Sequence, residues 1–189
     1  DAECLAALLV GALPKEPEAT GLLALIRLHR AREAARFDAA GNLVLLQDQD
    51  RSLWDRNAIA SAAAMLTQAA RRHRRPGPYQ LQAAIVACHA EAASWEETDW
   101  PQIRLLYDML LQLAPNPVTA LHRAIAGRYV HGPRSALDEL RPLAEPLENY
   151  PLYHATKAEL LRALGDDTAA HDCDRRAREL TANPAQRAL

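Results

Sequence analysis

From residue 78 onward, prolines and glycines punctuate the chain at a near-constant interval. The spans Pro117–Pro151, Pro151–Pro184 and Gly132–Gly165 agree to within one position, at about 34 residues. Each glycine follows its proline by roughly the length of one helix. Proline is tolerated in the first turn of a helix and not in its interior, while glycine is favoured just past a helix end. The spacing therefore describes a helix, a tight turn and a second helix, repeated. An earlier unit, from Pro78 to Pro117, is longer, stretched by the loop SWEETDW at 94–100. Such a chain is constrained to stack helical hairpins, because one hairpin alone leaves an apolar face uncovered.

A helix–turn–helix unit of that length resembles the tetratricopeptide (TPR) repeat. In the last unit Gly165, Ala170 and Ala177 fall where small residues let paired helices approach. Asp174 departs from the pattern, standing where an aromatic usually packs between helices, and Pro184 arrives a couple of residues late. Helices are expected at about 1–13, 16–36, 52–75, 79–92, 99–113, 117–131, 134–146, 150–164 and 167–181. Alanine and leucine dominate the apolar residues and aromatics are only 5%, a composition that favours close-packed helices over strands. The expected fold is all-α: a TPR-like, right-handed stack of helical hairpins with about nine helices. One ordered loop or short extended segment is expected near 37–51, where Asp38, Gly41 and Asn42 form a turn before Leu43–Leu46. Residues 1–76 form an N-terminal helical region carrying that loop, and 77–189 the repeats, packed together as one domain. The stretch YQLQAAIVACHAEA (79–92) is apolar nearly all round. Gln82 and His89 share one thin polar stripe, Gln80 and Glu91 the opposite one, as on an inner helix covered on both sides.

Charge and motif content narrow the function classes. There are 24 acids against 22 bases, net −2, which disfavours a surface devoted to nucleic acid. Cys4, Cys88 and Cys173 are far apart and form neither a disulfide framework nor a zinc signature, the pattern of a reducing cytoplasm. No apolar run approaches the length that spans a membrane. The chain begins with Asp1 rather than Met, which suggests a fragment of a longer protein. The block Arg71-Arg72-His73-Arg74-Arg75 precedes Pro76-Gly77 and reads as bases at a helix C-terminus, with phosphate binding the less favoured reading. His171-Asp172-Cys173-Asp174 occupies adjacent helical positions that point to different faces and cannot jointly ligate one ion. His29 has no partner histidine four positions away. No HExxH, Walker, GxGxxG or GxSxG motif occurs, so neither an enzyme nor a cofactor is expected.

The densest polar stretch is QDQDRSLWDR at 47–56. Ser52-Leu53-Trp54-Asp55 fits a capping box, with the serine as helix N-cap and Asp55 reaching back. Asp48, Asp50, Arg51 and Asp55 can alternatively be read as a catalytic or binding cluster, although paired acids need burial to drive their pKa values apart. The favoured reading is a structural signature, with Trp54 anchoring the helix by burial.

Taken in order, EPEATGLLALIRLHRAREAAR (16–36), LVLLQDQDRSLWDR (43–56), RRPGPYQLQAAIVACHAEA (74–92), LYDMLLQLAPNPVTALHRAIA (106–126) and the terminal RARELTANPAQRAL resemble the C-terminal extension of a group of bacterial extracytoplasmic-function (ECF) RNA polymerase sigma factors. In that group the two usual sigma regions are followed by a helical, TPR-containing domain. Nothing here looks like the promoter-melting region 2 or the helix-turn-helix of region 4, which would lie upstream of Asp1. Cys173-Asp174 replaces an aromatic expected in the last unit. The resemblance implies a cytoplasmic regulatory or interaction module of a transcription initiation factor. The implied partners are the RNA polymerase core, sigma regions 2 and 4 of the same chain, and YCII-related (DGPF-motif) proteins. Promoter DNA would be touched only through regions absent here.

Three readings follow: a sigma-factor module acting through protein contacts, a freestanding TPR-like peptide-binding adaptor, and an enzyme built on the 48–55 acids. The repeat period places Gln80, Glu91, Thr119, His122, Tyr129, Glu159 and Arg162 in the groove lined by the first helix of each pair, where TPR-like stacks bind partners.

Overall fold

Prolines open five of the α-helices, so the punctuation seen in sequence is the punctuation of the fold. The computed structural model describes residues 1–72 and 75–182. Its helices are α1 (Ala2–Ala12), α2 (Pro17–Arg30), α3 (Arg56–Arg72), α4 (Pro78–Glu91), α5 (Trp100–Leu113), α6 (Pro117–Leu140), α7 (Pro151–Ala163) and α8 (Asp167–Leu180). Pro17, Pro78, Pro101, Pro117 and Pro151 each sit in a first turn, where a missing N–H costs nothing. Side-chain caps complete several starts: Asn116 accepts from Val118 N at 2.8 Å, Asp99 from Gln102 N at 2.9 Å, and Asp166 from Ala169 N at 3.1 Å.

The described residues hold eight α-helices rather than nine. The two helices expected at 117–131 and 134–146 join into α6, which breaks at Gly132. Gly132 has φ 83° and ψ 169°, a region essentially reserved for glycine, and Pro133 starts the returning arm. Gly165, one period further on, also has φ 83° and turns α7 into α8. Pro184, the last landmark of the period, lies outside the described residues, as do His73 and Arg74 of the basic block.

The 37–51 segment is ordered and nearly free of regular structure. Phe37 and Leu43 form an isolated antiparallel bridge around a turn in which Asp38 Oδ1 accepts from Ala40 N at 2.9 Å and Asn42 N at 2.8 Å. Short 3-10 turns follow at Leu46–Asp48 and Arg51–Leu53. Helix α3 therefore begins at Arg56, not near Ser52.

Packing follows chain order, with one exception that positions the site. Helix α4 contacts α5, α5 contacts α6, α6 contacts α7 and α7 contacts α8, whereas α2 packs against both α3 and α4. Ala24 and Leu28 of α2, Ile59 and Ala62 of α3, and Ala83, Ala87 and Ala90 of α4 share one core with Trp54. The other side of α4 puts Leu81 and Ile85 into a second core with Ile103, Leu110 and Ala126. A third core, centred on Leu121, Leu140 and Leu160, joins α6 to α7. Helix α4 is thus covered on both sides, as its composition implies, and it ties the N-terminal helices to the repeats. The close fit of α2 on α4 requires Gly21, where a Cβ would lie 2.7 Å from Gln80 N.

Candidate functional site

The stretch 47–56 is a joint between the N-terminal helices and the end of α4. The last carbonyls of a helix lack intrahelical partners, and two arginines of this stretch supply them. Arg51 Nη1 donates to His89 O at 2.7 Å and Ala92 O at 2.8 Å, and Arg56 Nη1 donates to Ala90 O at 3.1 Å. Between them Trp54 is 3% exposed and lies under the Arg51 guanidinium at 4.5 Å, a cation–π contact. Asp55 N donates to Ala31 O at 2.8 Å, holding the stretch to the end of α2.

The cap lies later than the capping-box pattern suggested. Asp55 Oδ1 accepts from Ala58 N at 2.9 Å and caps α3, while Ser52 lies in the preceding 3-10 turn, its backbone N–H donating to Asp50 Oδ1 at 2.9 Å. Asp48, Asp50 and Asp55 are all exposed and do not form a buried group. Hydrogen bonds from the Ser52 side chain and then its backbone hold Asp50 below the usual carboxylate range. A general acid needs the opposite shift. Asp55 lines a cleft with Glu3, Arg27, Arg30 and Glu33, a cleft whose lining includes neither Asp48 nor Asp50.

The period-derived groove residues are placed differently from one another. Gln80 is 4% exposed, with its Oε1 accepting from Gly77 N and its own backbone N–H donating to Glu18 Oε1 at 3.1 Å. It faces α2 and lines no groove. Glu91 is exposed at the last position of α4, and Thr119 is half-buried in the first turn of α6. The His122 ring hydrogen-bonds Val118 O through Nδ1 at 2.8 Å and stacks on Tyr107 of α5. Arg162 pairs with Asp174 at 2.6 Å across α7 and α8, so the aspartate that departs from the repeat pattern replaces an aromatic contact with an ion pair. Tyr129 and Glu159 are brought together through Arg128, which lies 5.4 Å from the Tyr129 ring and pairs with Glu159.

Two features escaped the period. One is an aromatic ledge. Tyr129 stacks on Trp100 at 3.9 Å, and Trp95 meets Tyr129 and Trp100 edge-on, at 5.8 Å and 4.8 Å. Behind them His89 stacks on Trp95 at 5.9 Å. The SWEETDW insertion that lengthens the first unit supplies both tryptophans, so the irregular spacing is itself the signal. The other is an open cleft of about 720 Å³ between α5 and the two arms of α6, lined by Leu105, Asp108, Leu111, Arg123, Glu139 and Leu143 among others. An ion network borders it: Glu139 takes Arg104 at 3.0 Å and Arg123 at 2.7 Å, and Arg123 also pairs with Asp108. In this network the two arginines are paired with the two carboxylates. Burial first, and then Asp99 and Glu91, push the Cys88 thiol up to about 11, which favours its protonated form at neutral pH.

Comparison with known proteins gives a relationship in two parts. Residues 1–70 match DUF6596, a family of unknown function. The matched segment contains Asp48, Asp50, Arg51, Ser52, Trp54 and Asp55, and it ends within α3. The chain is also 48% identical over 184 residues to an uncharacterized protein, R00370, of Rhizobium meliloti (strain 1021). That similarity covers 97% of this chain and 43% of the relative, so the chain spans less than half of the relative's length. No solved structure matches the chain. Among the described residues no helix is long and apolar enough to cross a membrane.

Proposed function

We propose that this chain is the C-terminal regulatory and protein-interaction domain of an ECF-type RNA polymerase sigma factor, controlling or supporting transcription initiation through protein contacts. The observation that carries the reading is the recurrence of nearly the whole chain, at 48% identity, as less than half of a longer protein. A unit of that kind works attached to something else. The order of its sequence segments resembles the sigma-factor extension, and its architecture supports binding rather than chemistry: a helical stack with exposed acids, paired ion networks and an aromatic ledge. Helix α1 adds apolar surface, with Leu5 and Leu8 at 67% and 69% exposure, of the kind that meets a partner. In this reading the partners are the polymerase core and the sigma regions of the same protein, and the location is cytoplasmic.

The contact surface we favour is the ledge and its rim, Tyr129, Arg128 and Glu159. The test is promoter-specific transcription by polymerase carrying the full-length protein with Arg128→Ala, Tyr129→Ala and Glu159→Ala combined. Aromatic and arginine anchors at interfaces are often worth about 2 kcal/mol or more, so the expected change in transcript yield is about tenfold or more. An unchanged yield from a folded triple variant rejects this surface. A wild-type protein that supports no promoter-specific transcription rejects the sigma reading itself.

A further inference from the structure

The joint around Trp54 carries more positive charge and more unused donors than anchoring requires. The guanidinium groups of Arg51, Arg32 and Arg56 lie 4.5, 5.7 and 5.7 Å from the Trp54 ring centroid. Among the described residues none of the three forms an ion pair with a carboxylate. Four buried nitrogens there meet no hydrogen-bond partner: Arg32 Nε, Arg51 Nη2, Trp54 Nε1 and His89 Nδ1. The first three are donors only, and the fourth is a donor in one tautomer. Arg32 is 9% exposed and Trp54 is 3% exposed, so bulk solvent does not serve these groups.

We propose that Arg32, Arg51 and Arg56, with the Trp54 indole N–H and His89, form a binding site for a small oxyanion, a carboxylate or a phosphate group. Buried donors in native proteins nearly always find an acceptor, and a buried guanidinium without a counter-charge is costly. Water would satisfy the donors and leave the charge. An oxyanion answers both, in the planar geometry that guanidinium favours. The electrostatics agree with a site short of negative charge. Burial, then Arg36 and Arg51, lowers Arg32, while burial, then Arg56, lowers Arg51, against which Glu96 acts to raise it. Arg51 is half-buried and Arg56 exposed, so the site is approached from their side. Both arginines also hold carbonyls at the end of α4, so an anion between them would tighten the joint between the N-terminal helices and the repeats. This inference does not rest on the transcription reading.

The test uses the whole chain, titrated with sodium phosphate and with sodium acetate at constant ionic strength, with chloride as the reference salt. Two signals are followed at neutral pH: the Trp54 indole N–H resonance, assigned by its loss in Trp54→Phe, and the thermal midpoint. The site predicts a saturable movement of that resonance and a midpoint above the chloride value. Arg56→Gln, at an exposed position and compared with the wild type only where its far-UV circular dichroism and urea midpoint show it folded, should weaken binding about tenfold. Arg141→Gln, on the distant 3-10 turn after α6, should leave it unchanged. A response to acetate alone identifies a carboxylate site, a response to phosphate alone a phosphate site, and either supports the proposal. No saturable response to either anion, or an equal response in Arg56→Gln, would overturn it and leave water as the occupant.

Discussion

His89 shows what the joint does to a single residue. Burial first, then the charges of Arg32 and Arg51, push it down to about 4, so the ring is neutral at pH 7. In the unfolded chain the same ring takes a proton near its ordinary value of about 6.5. Because the folded value is the lower one, the unfolded state binds more protons between those limits. Stability is therefore full above about pH 6.5, declines as the pH falls toward about 4, and suffers no further loss from this group below that. The decline amounts to about 3 kcal/mol. His29, also lowered by burial and by Arg32 and Arg36, acts in the same direction. Urea unfolding at neutral pH and at two steps down toward the folded value checks this: His89→Gln should lose most of the wild-type decline, whatever its effect at neutral pH. A variant with the full wild-type slope would contradict the assignment. Part of this scale was legible beforehand. The burial of Trp54 follows from a lone tryptophan ahead of a helix. The burial of Gln80 does not, because the glycine that draws α2 onto it is Gly21, on a helix far back in the chain.

At the scale of elements, the fold is written in residues that constrain the backbone. Gly132 turns the α6 hairpin with a φ that side chains rarely adopt, and no neighbouring atom lies within 4 Å of where a Cβ would be. Any cost of Gly132→Ala is therefore conformational rather than steric, and we expect about 1–3 kcal/mol of destabilisation, read as a lower urea midpoint with an unchanged slope. A loss below about 0.5 kcal/mol would mean that the turn is not strained for alanine. These turns were legible because φ preference is a property of one residue. The N-cap of α3 was legible only approximately. Ser52 and Asp55 both satisfy a local cap pattern, and the choice between them is made by Asp50, which binds the Ser52 N–H and leaves Asp55 to cap. The aromatic ledge was hidden for another reason. Trp95, Trp100 and Tyr129 have no shared period, and only the packing of α5 on α6 brings them together.

At the scale of the whole molecule, the chain is a stack whose N-terminal helices are not a separate body. Helix α4 shares one core with α2 and α3 and another with α5, and Arg51 and Arg56 fasten its end. The helical stack could be foreseen because repeats are periodic, and the joint could not, because it depends on contacts made 34 to 41 positions apart. A helical stack that matches less than half of a longer relative is, in the proposed reading, placed to pass a contact on to the rest of such a protein. The measurement that tests this most directly is promoter-specific transcription in vitro by polymerase loaded with the full-length protein, compared with the same protein lacking this domain. The account predicts a clear change in transcript yield: loss if the stack supports initiation, gain if it restrains it. An unchanged yield over a range of concentrations of the protein would contradict it.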